Sequence, residues 1–207
     1  MTARGRFVTL EGGEGSGKST QARLLAEALT ASGRPALLTR EPGGAPGAER
    51  LRSLLLEGAV DWAPLAETLL HFAARAEHVA KTIRPALDAG MWVVCDRFAD
   101  STMAYQGYGQ SADRAAIATL TGLVELVPDL TLVLDVPEEV AAARVRVRGL
   151  AADRYDRLGP DFHRRVAAGF RAIAAAAPER CAMVDGSGTP ETVQAALMAV
   201  IGRRWPE

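Results

Sequence analysis

Nine residues near the amino terminus match the pattern of a phosphate-binding loop. The stretch reads GGEGSGKST and contains a glycine, four further residues and then Gly-Lys-Ser. Glycines let the backbone curl until successive N–H groups converge on phosphate oxygens. A lysine adds positive charge for the outer phosphates, and the following hydroxyl can bind magnesium. The motif predicts a site for a nucleoside triphosphate and Mg²⁺ formed by Gly12, Gly13, Glu14, Gly15, Ser16, Gly17, Lys18, Ser19 and Thr20.

The sequence on each side of this loop distinguishes it from a chance glycine-rich turn. The apolar run at residues 7–10 precedes it and predicts a strand, and apolar residues at helical spacing follow at 21–31. A helix that opens at Ser19 directs the positive end of its dipole towards the same phosphates. The loop therefore stands in the context that its mechanism requires.

Charged residues also follow the other predicted strands. Arg40 comes directly after the second strand, and Asp96 and Arg97 follow the third. In open α/β sheets, ligands bind at the carboxyl ends of the strands, so these side chains are candidates for the site. Asp96 is of the type that holds magnesium, and Arg97 can bind a second anion. The alternative is a structural Asp-Arg pair that caps the next element.

Two helical patterns place further side chains on common faces. Phe72 and Arg75 are three residues apart, so one can stack on a flat ring and the other can donate hydrogen bonds to its edge. An aromatic residue at this spacing is also typical of a helix that only packs into the core. Arg97, Ser101 and Tyr105 are four residues apart, so a helix leaving the third strand aligns them in one row.

One polar segment interrupts the pattern of strands and helices. Residues 149–160 read GLAADRYDRLGP, are bounded by glycine and proline, and carry Arg154 and Arg157. Three more arginines, at 144, 146 and 148, immediately precede them. The segment is either an ordinary surface loop or, as its arginines favour, a movable lid over transferring phosphates.

The elements that must position these residues alternate along the chain. Strands are predicted at residues 7–10, 36–39, 92–95, 130–136 and 182–184, and helices at 21–31, 47–56, 64–89, 113–126, 138–148, 161–177 and 191–203. This alternation predicts an α/β fold with a parallel sheet covered by helices on both faces. The 207 residues suit one domain, spanning 1–207, with the lid at about 149–160.

Composition limits the possible partners and location. The net charge is −1 and no basic tail is present, which argues against nucleic acid. No apolar run reaches membrane-spanning length, and the first residues lack the apolar core of a signal peptide. Cys95 and Cys181 lie in apolar segments and are predicted to be free thiols in the cytoplasm. The three histidines show no metal-binding grouping with them.

Several longer motifs resemble those of thymidylate kinases, in particular the bacterial form. Besides the glycine-rich loop, they are TREPGG at 39–44, LRSLLL at 51–56, LLHFAARAEH at 69–78, CDRFADSTMAYQG at 95–107 and PDLTLVLDV at 128–136. The resemblance implies a P-loop kinase fold with five parallel strands. It also implies transfer of the γ-phosphoryl group of ATP to thymidine 5′-monophosphate (dTMP), with Mg²⁺, by a homodimer.

The resemblance also implies roles for individual residues in binding dTMP. Phe72 would stack on thymine and Arg75 would bond to the base, while Arg97 would hold the 5′-phosphate. Tyr105 would crowd the sugar 2′ position. The remaining substrate-binding residues would be Arg40 near the acceptor phosphate and Ser101 with Gln106 around the base, and the Glu41–Pro42 peptide would be cis.

The lid would supply the catalytic arginine. Some members of the family carry an arginine inside the phosphate loop, whereas here Gly15 follows Glu14. Arg154 matches the lid arginine of similar bacterial enzymes, with Arg148 and Arg144 as the next candidates. Glu14 would then face the acceptor sugar or the magnesium shell.

Two other functions share part of this pattern. A kinase for another nucleoside monophosphate or for a deoxynucleoside would have the same loop and Asp-Arg pair. A GTP-binding regulatory switch would share the loop, but guanine recognition commonly uses Asn-Lys-x-Asp and this chain contains no asparagine.

Overall fold

Five parallel strands form a single sheet in the computed structural model, which describes residues 4–56, 60–148, 154–155 and 157–206 without the side chain of residue 148. The spatial order is β2-β3-β1-β4-β5. The strands are β1 (Phe7–Glu11), β2 (Ala36–Arg40), β3 (Trp92–Asp96), β4 (Leu130–Asp135) and β5 (Cys181–Asp185). The predicted α/β class and the five-stranded parallel sheet are confirmed.

Helices connect the strands and cover both faces of the sheet. They are α1 (Lys18–Ala31), α2 (Pro46–Leu56), α3 (Pro64–His78), α4 (Arg84–Asp88), α5 (Ala99–Thr102), α6 (Arg114–Val124), α7 (Glu138–Arg148), α8 (Pro160–Ala176) and α9 (Pro190–Arg204). In the described part of the chain, none of them is long and apolar enough to cross a membrane.

The central strand of the sheet is β1, which leads directly into the phosphate loop. All five of its residues are buried, and it pairs with β3 on one side and β4 on the other. Val8 and Leu10 pack with α1 and α9 on one face, whereas Phe7 packs with Phe98 on the other. Because side chains alternate between the faces of a strand, β1 joins the two halves of the core.

The prediction of one continuous helix at 64–89 is wrong. Helix α3 ends at His78, a π-helical turn covers Val79–Ile83, and α4 follows. Pro85 has no backbone N–H and cannot complete the regular hydrogen-bond ladder at this point, which favours an irregular turn before it.

The predicted regular helix after β3 is also corrected. Arg97 precedes the helix and has a left-handed backbone with φ of 71°, and α5 begins only at Ala99. After α5, the Met103–Gly109 segment is π-helical. The side chains predicted to share a row therefore converge through a different backbone path.

Four smaller expectations have different outcomes. Cys95 and Cys181 are buried free thiols, and the Glu41–Pro42 peptide is cis, as expected. The single domain over residues 1–207 stays a prediction. The predicted lid does too, because residues 149–153 and 156 of it lie outside the described residues.

Candidate active site

The phosphate loop connects β1 to α1, and α1 begins at Lys18, one residue earlier than predicted. Gly12 and Gly15 have φ values of 141° and 72°. A Cβ atom on Gly12 would lie 2.5 Å from the carbonyl oxygen of Leu134, and one on Gly15 would lie 2.3 Å from that of Ala141. Both backbone conformation and lack of space therefore require glycine here.

Lys18 folds back over its own loop. Its Nζ donates to the carbonyl oxygen of Gly13 at 2.6 Å and to Oγ of Ser16 at 3.2 Å. Burial, assisted by the positive charge of Arg97, lowers the pKa of Lys18 to about 8. A bound phosphate would supply the negative charge that this buried ammonium group lacks.

Ser19 and Asp96 form the pair of oxygen ligands predicted for a metal ion. The Ser19 hydroxyl donates to Oδ2 of Asp96 at 2.5 Å. The other carboxylate oxygen, Oδ1, is buried without a hydrogen-bond partner among the described residues. Because Mg²⁺ prefers hydroxyl, carboxylate and phosphate oxygens, these two side chains fit it.

Arg97 brings together four other groups at the carboxyl end of the sheet. Its Nη1 donates to the carbonyl oxygen of Gly12 at 3.1 Å and to Oγ of Ser101 at 3.2 Å. Its Nη2 donates to the hydroxyl of Tyr105 at 3.0 Å and pairs with Glu14. Glu14 also accepts from the Tyr105 hydroxyl at 2.8 Å. The phosphate loop and the predicted acceptor residues thus share one polar network.

A buried carboxylate that the sequence analysis missed supports this network. Glu11, the last residue of β1, is fully buried. It accepts hydrogen bonds from the backbone N–H groups of Phe98 at 2.8 Å and Ser101 at 3.3 Å, and from the Ser101 hydroxyl at 2.6 Å. Burial, with repulsion from Asp100, raises the pKa of Glu11 to about 8.

A second buried carboxylate holds Arg75. The guanidinium Nε donates to Glu41 at 2.8 Å, and Nη2 donates to the carbonyl oxygen of Phe98 and the hydroxyl of Thr102, both at 3.0 Å. The remaining nitrogen, Nη1, is buried and has no partner within the described part of the chain. Arg75 therefore has one fixed, buried donor group left for a ligand oxygen.

Glu41 is itself held by a histidine. His78 is fully buried, and its Nδ1 lies 3.1 Å from Oε1 of Glu41, while its Nε2 lies 2.7 Å from the Thr39 hydroxyl. TREPGG and LLHFAARAEH, the two motifs that supply these residues, are thus in direct contact.

Phe72 and Arg75 share a face, as predicted, but neither is among the described residues that line the main cavity. Phe72 is 5% exposed, and Cζ of Arg75 lies 4.7 Å from the centre of its ring. Arg75 bonds directly to Phe98 and Thr102, which do line the cavity. The predicted base-binding pair therefore lies immediately behind the cavity wall, and its contact with thymine stays a prediction.

A third buried carboxylate, Glu67, organises the other end of the cavity. Gln106 donates its amide Nε2 to Glu67 and to the Tyr155 hydroxyl, both at 2.9 Å. Tyr155 donates in turn to Glu67 at 2.7 Å and lies 2.9 Å from His71. Burial and the charge of a neighbouring arginine lower the pKa of His71 to about 3, so this imidazole is neutral.

The three candidate lid arginines have different surroundings. Nη2 of Arg154 lies 2.7 Å from the buried Glu67, in a second cavity beside Asp61. Arg144 lines the main cavity and donates to three carbonyl oxygens of residues 186–188 at 2.8–3.1 Å. The side chain of Arg148 lies outside the described residues. Arg154 is thus not among the described groups around the phosphate loop.

Arg40 occupies the rim of the main cavity. Its side chain is half exposed and forms an ion pair with Glu49, with 3.1 Å between Nη2 and Oε2. Hydrogen bonds from the Gly44 backbone N–H and from Arg40 overcome the opposing effect of burial and lower the pKa of Glu49. Of the predicted substrate residues, Arg40 is the one with the greatest access to solvent in this region.

The main cavity has a volume of about 610 Å³ and contains both halves of the predicted site. Glu14 to Gln21 line one end, which includes the loop lysine and the predicted metal-binding serine. The other end is lined by the predicted residues Arg40, Arg97, Ser101, Tyr105 and Gln106, together with His71 and Tyr155. The cavity thus brings Lys18 and Arg97, two cations suited to binding phosphate groups, into one site.

Comparisons with known proteins agree with this arrangement. The family model described as Thymidylate kinase matches residues 10–197. The thymidylate kinase of Gluconobacter oxydans is 56% identical over 206 residues, covering 97% of this chain and 96% of the relative. That of Caulobacter vibrioides is 49% identical over 204 residues, covering 97% and 98%. The crystal structure of thymidylate kinase from Ehrlichia chaffeensis matches with a TM-score of 0.78 and 37% identity, covering 96% of this chain and 99% of that one.

Proposed function

This chain belongs to the thymidylate kinase family, and from that membership we propose how its residues transfer the γ-phosphoryl group of ATP to dTMP. The products are thymidine 5′-diphosphate (dTDP) and ADP. The protein is an ATP-dependent phosphotransferase of nucleotide biosynthesis, and its acceptor is a small molecule.

One observation carries the assignment of roles: the phosphate loop and the acceptor residues line the same cavity and are bonded to each other. Arg97 donates to the carbonyl oxygen of Gly12 while its guanidinium also reaches Ser101 and Tyr105. A 5′-phosphate held by Arg97 would therefore lie next to the outer phosphates of ATP held by Lys18. Such positioning can supply much of the rate enhancement of phosphoryl transfer.

The reaction needs no general base from the protein. The second pKa of a phosphate monoester is about 6, so the acceptor is mostly a dianion at neutral pH. The histidine in the cavity, His71, is neutral and bound to Tyr155, which fits a structural role. Lys18 and Arg97 instead stabilise the charge that moves between the two nucleotides.

We assign the metal to Ser19 and Asp96. The hydroxyl and the carboxylate lie together, and the buried Oδ1 of Asp96 lacks a partner among the described residues. Magnesium bound there would neutralise charge on the triphosphate.

We assign the acceptor base to the wall formed by α3 and the segment after β3. Phe72 stacks on thymine, and the unpartnered Nη1 of Arg75 donates to a carbonyl oxygen of the base. Ser101 and Gln106 frame the base from the other side. Tyr105 lies against the sugar 2′ position.

The remaining polar residues are assigned to the phosphates and the sugar. Arg40 lies near the acceptor phosphate, and Glu14 faces the sugar or the magnesium shell. Arg154 is our first candidate for the arginine that stabilises the transition state, ahead of Arg148 and Arg144. Because Arg154 pairs with Glu67, it can reach the phosphates only when this ion pair separates.

Assembly and location are also proposals. Leu65 and Leu69, one turn apart on α3, and Leu123 on the adjoining α6 are 58%, 46% and 74% exposed. These apolar side chains favour a homodimer that packs through helices. The two buried free thiols favour the reducing cytoplasm.

The substrate assignment is tested by measuring ADP release with ATP and a panel of nucleoside monophosphates and deoxynucleosides. The account predicts the highest kcat/KM for dTMP. A better acceptor elsewhere in the panel would contradict it, and tight binding of GTP without any transfer would favour a regulatory switch.

A further inference from the structure

Glu11 is a buried carboxylate with no role in the chemistry described above. It ends β1 immediately before the phosphate loop, yet its hydrogen bonds go to the segment after β3 that carries Arg97. Phe98, one of its partners, lies 87 residues away in sequence. A tertiary contact, rather than local sequence, therefore fixes the start of α5.

The three donors to Glu11 all belong to the turn that aims Arg97. Phe98 and Ser101 supply buried N–H groups at the open end of α5, and the Ser101 hydroxyl supplies the third hydrogen. The Ser101 N–H also donates to the carbonyl oxygen of Phe98 at 3.1 Å, whereas the buried Phe98 N–H needs an acceptor from outside the turn. Glu11 supplies that acceptor.

Arg97 has a backbone that needs this support. Its φ of 71° is left-handed, a conformation that disfavours a residue with a long side chain and persists only when the surroundings enforce it. On one side, the Arg97 N–H donates to the carbonyl oxygen of Leu10 at 2.9 Å. On the other side, Glu11 holds the next residue, Phe98. Leu10 and Glu11, two consecutive residues of β1, thus hold Arg97 and the residue that follows it.

A side-chain connection reaches the guanidinium as well. Nη1 of Arg97 donates to Oγ of Ser101, and the Ser101 hydroxyl donates to Oε2 of Glu11. The backbone and the side chain of Arg97 are therefore both oriented by the same carboxyl group. The charge of Asp100 raises the pKa of this carboxyl group, and the charge of Arg97 lowers it.

We propose that Glu11 is a positioning residue for the acceptor phosphate, which acts by holding the turn at residues 98–101 so that Arg97 and Ser101 face the cavity. This inference rests on the proposed role of Arg97. It assigns Glu11 to the dTMP half of the site although its sequence position adjoins the ATP half.

Three substitutions separate positioning from general core stability. Glu11→Leu keeps the packing volume but removes the acceptor of the buried Phe98 N–H and of the Ser101 hydroxyl, while the Ser101 N–H keeps its 3.1 Å bond to the carbonyl oxygen of Phe98. Glu11→Gln keeps one acceptor oxygen for the N–H groups and offers an amide N–H to the oxygen of Ser101. Glu11→Asp keeps the carboxyl group on a side chain too short to reach all three donors.

Asp129→Leu is the matched control. Asp129 accepts from the backbone N–H of Phe7 at 2.7 Å, at the opposite end of the same strand β1. It does not belong to the described lining of the main cavity. Its loss should lower the melting temperature and leave binding of both nucleotides unchanged.

The test measures dissociation constants for dTMP and for the non-hydrolysable ATP analogue AMP-PNP separately, by calorimetric titration into the millimolar range. We expect Glu11→Leu to weaken dTMP binding about tenfold or more, the effect of orphaned buried donors, and AMP-PNP binding less than about twofold. Glu11→Gln should stay within about threefold of wild type for both ligands, because the N–H groups keep their acceptor and the hydrogen bond to Ser101 is retained in the opposite direction. If the leucine variant does not fold, Glu11→Asp carries the same comparison, with a smaller loss confined to dTMP.

A double-mutant cycle with Arg97→Ala decides whether Glu11 acts through Arg97. In the Arg97→Ala background, Glu11→Leu should weaken dTMP binding by less than about threefold, since the residue it positions is already gone. Equal losses for dTMP and AMP-PNP, or full additivity with Arg97→Ala, would overturn the inference. If Arg97→Ala alone leaves dTMP binding intact, the proposed role of Arg97 fails as well, which distinguishes that outcome from a failure of Glu11 alone.

Discussion

Replacement of Arg75 by leucine should reduce both stability and dTMP binding. Arg75 is 2% exposed and pairs with Glu41, which is 5% exposed. Removing one partner of a buried ion pair costs about 3–5 kcal/mol, because the other charge stays buried. In a chain of 207 residues, each kcal/mol lowers the melting temperature by about 2–4 °C. The expected decrease is therefore about 6–20 °C.

The lysine variant separates stability from recognition of the base. Arg75→Lys keeps a cation near Glu41 but removes the planar guanidinium fork. The Nη1 atom of that fork has no hydrogen-bond partner among the described residues and is therefore available to a ligand. We expect a smaller decrease in melting temperature than for leucine. The KM for dTMP should increase about tenfold, as for a lost charge-assisted hydrogen bond, and the KM for ATP should not change.

Thermal unfolding and steady-state kinetics, with each substrate varied in turn, provide the measurements. The reasoning is refuted if Arg75→Leu lowers the melting temperature by less than about 2 °C, since a buried carboxylate that has lost its guanidinium partner cannot cost so little. It is also refuted if Arg75→Lys raises both KM values equally, because the residue would then not be specific for the acceptor.

The remaining predictions concern the phosphates, the base and the lid. Lys18→Ala should reduce kcat about a hundredfold or more without unfolding the protein; near-normal turnover at saturating ATP would contradict this. Because burial lowers the pKa of Lys18 to about 8, its charge is present below that pH and lost above it, so kcat/KM for ATP should fall as the pH rises through 8. A flat profile to pH 9.5 would contradict this expectation. Phe72→Ala should weaken acceptor binding by about 1–3 kcal/mol and spare the KM for ATP; a purely structural Phe72 would instead lower the melting temperature and affect both substrates. Among Arg154→Ala, Arg148→Ala and Arg144→Ala, the Arg154 variant should lose the most turnover, about a thousandfold, with little change in either KM. A larger loss in another variant would reassign the transition-state arginine, and no loss in any would exclude a lid arginine.

The sequence predicts the sheet and the phosphate loop because their signals are local. Apolar runs bounded by charge mark all five strands, and each observed end lies within one residue of its predicted position. The glycine spacing of the loop reflects backbone conformations that other residues disfavour. Side chains at the carboxyl ends of neighbouring strands then meet by geometry alone, which is why Ser19, Asp96 and Arg97 could be placed together in advance.

The buried carboxylates could not be predicted in the same way. Glu11, Glu41 and Glu67 resemble ordinary charged residues in sequence, because their partners lie far along the chain. Their hydrogen bonds exist only once β1, α3 and the segment after β3 have packed. A glutamate directly after a mostly apolar strand segment, as at Glu11, is the one local signal that could have revealed such a role.

The surroundings of Arg154 show a similar limit. Its sequence position favours a lid, but its ion pair with Glu67 depends on the packing of α3 against the segment at 154–155. The π-helical segments are equally hard to foresee, since apolar periodicity does not distinguish a regular helix from one with an inserted residue.

Direct transfer between the two nucleotides is tested most directly with ATP labelled by ³²P at the γ position. The protein is incubated with labelled ATP, Mg²⁺ and dTMP, and the nucleotides, inorganic phosphate and protein are then separated. The account predicts that the label appears in dTDP in the same amount as ADP is formed, with none bound to the protein. Label in inorganic phosphate or on the protein in place of dTDP would contradict direct phosphoryl transfer to dTMP.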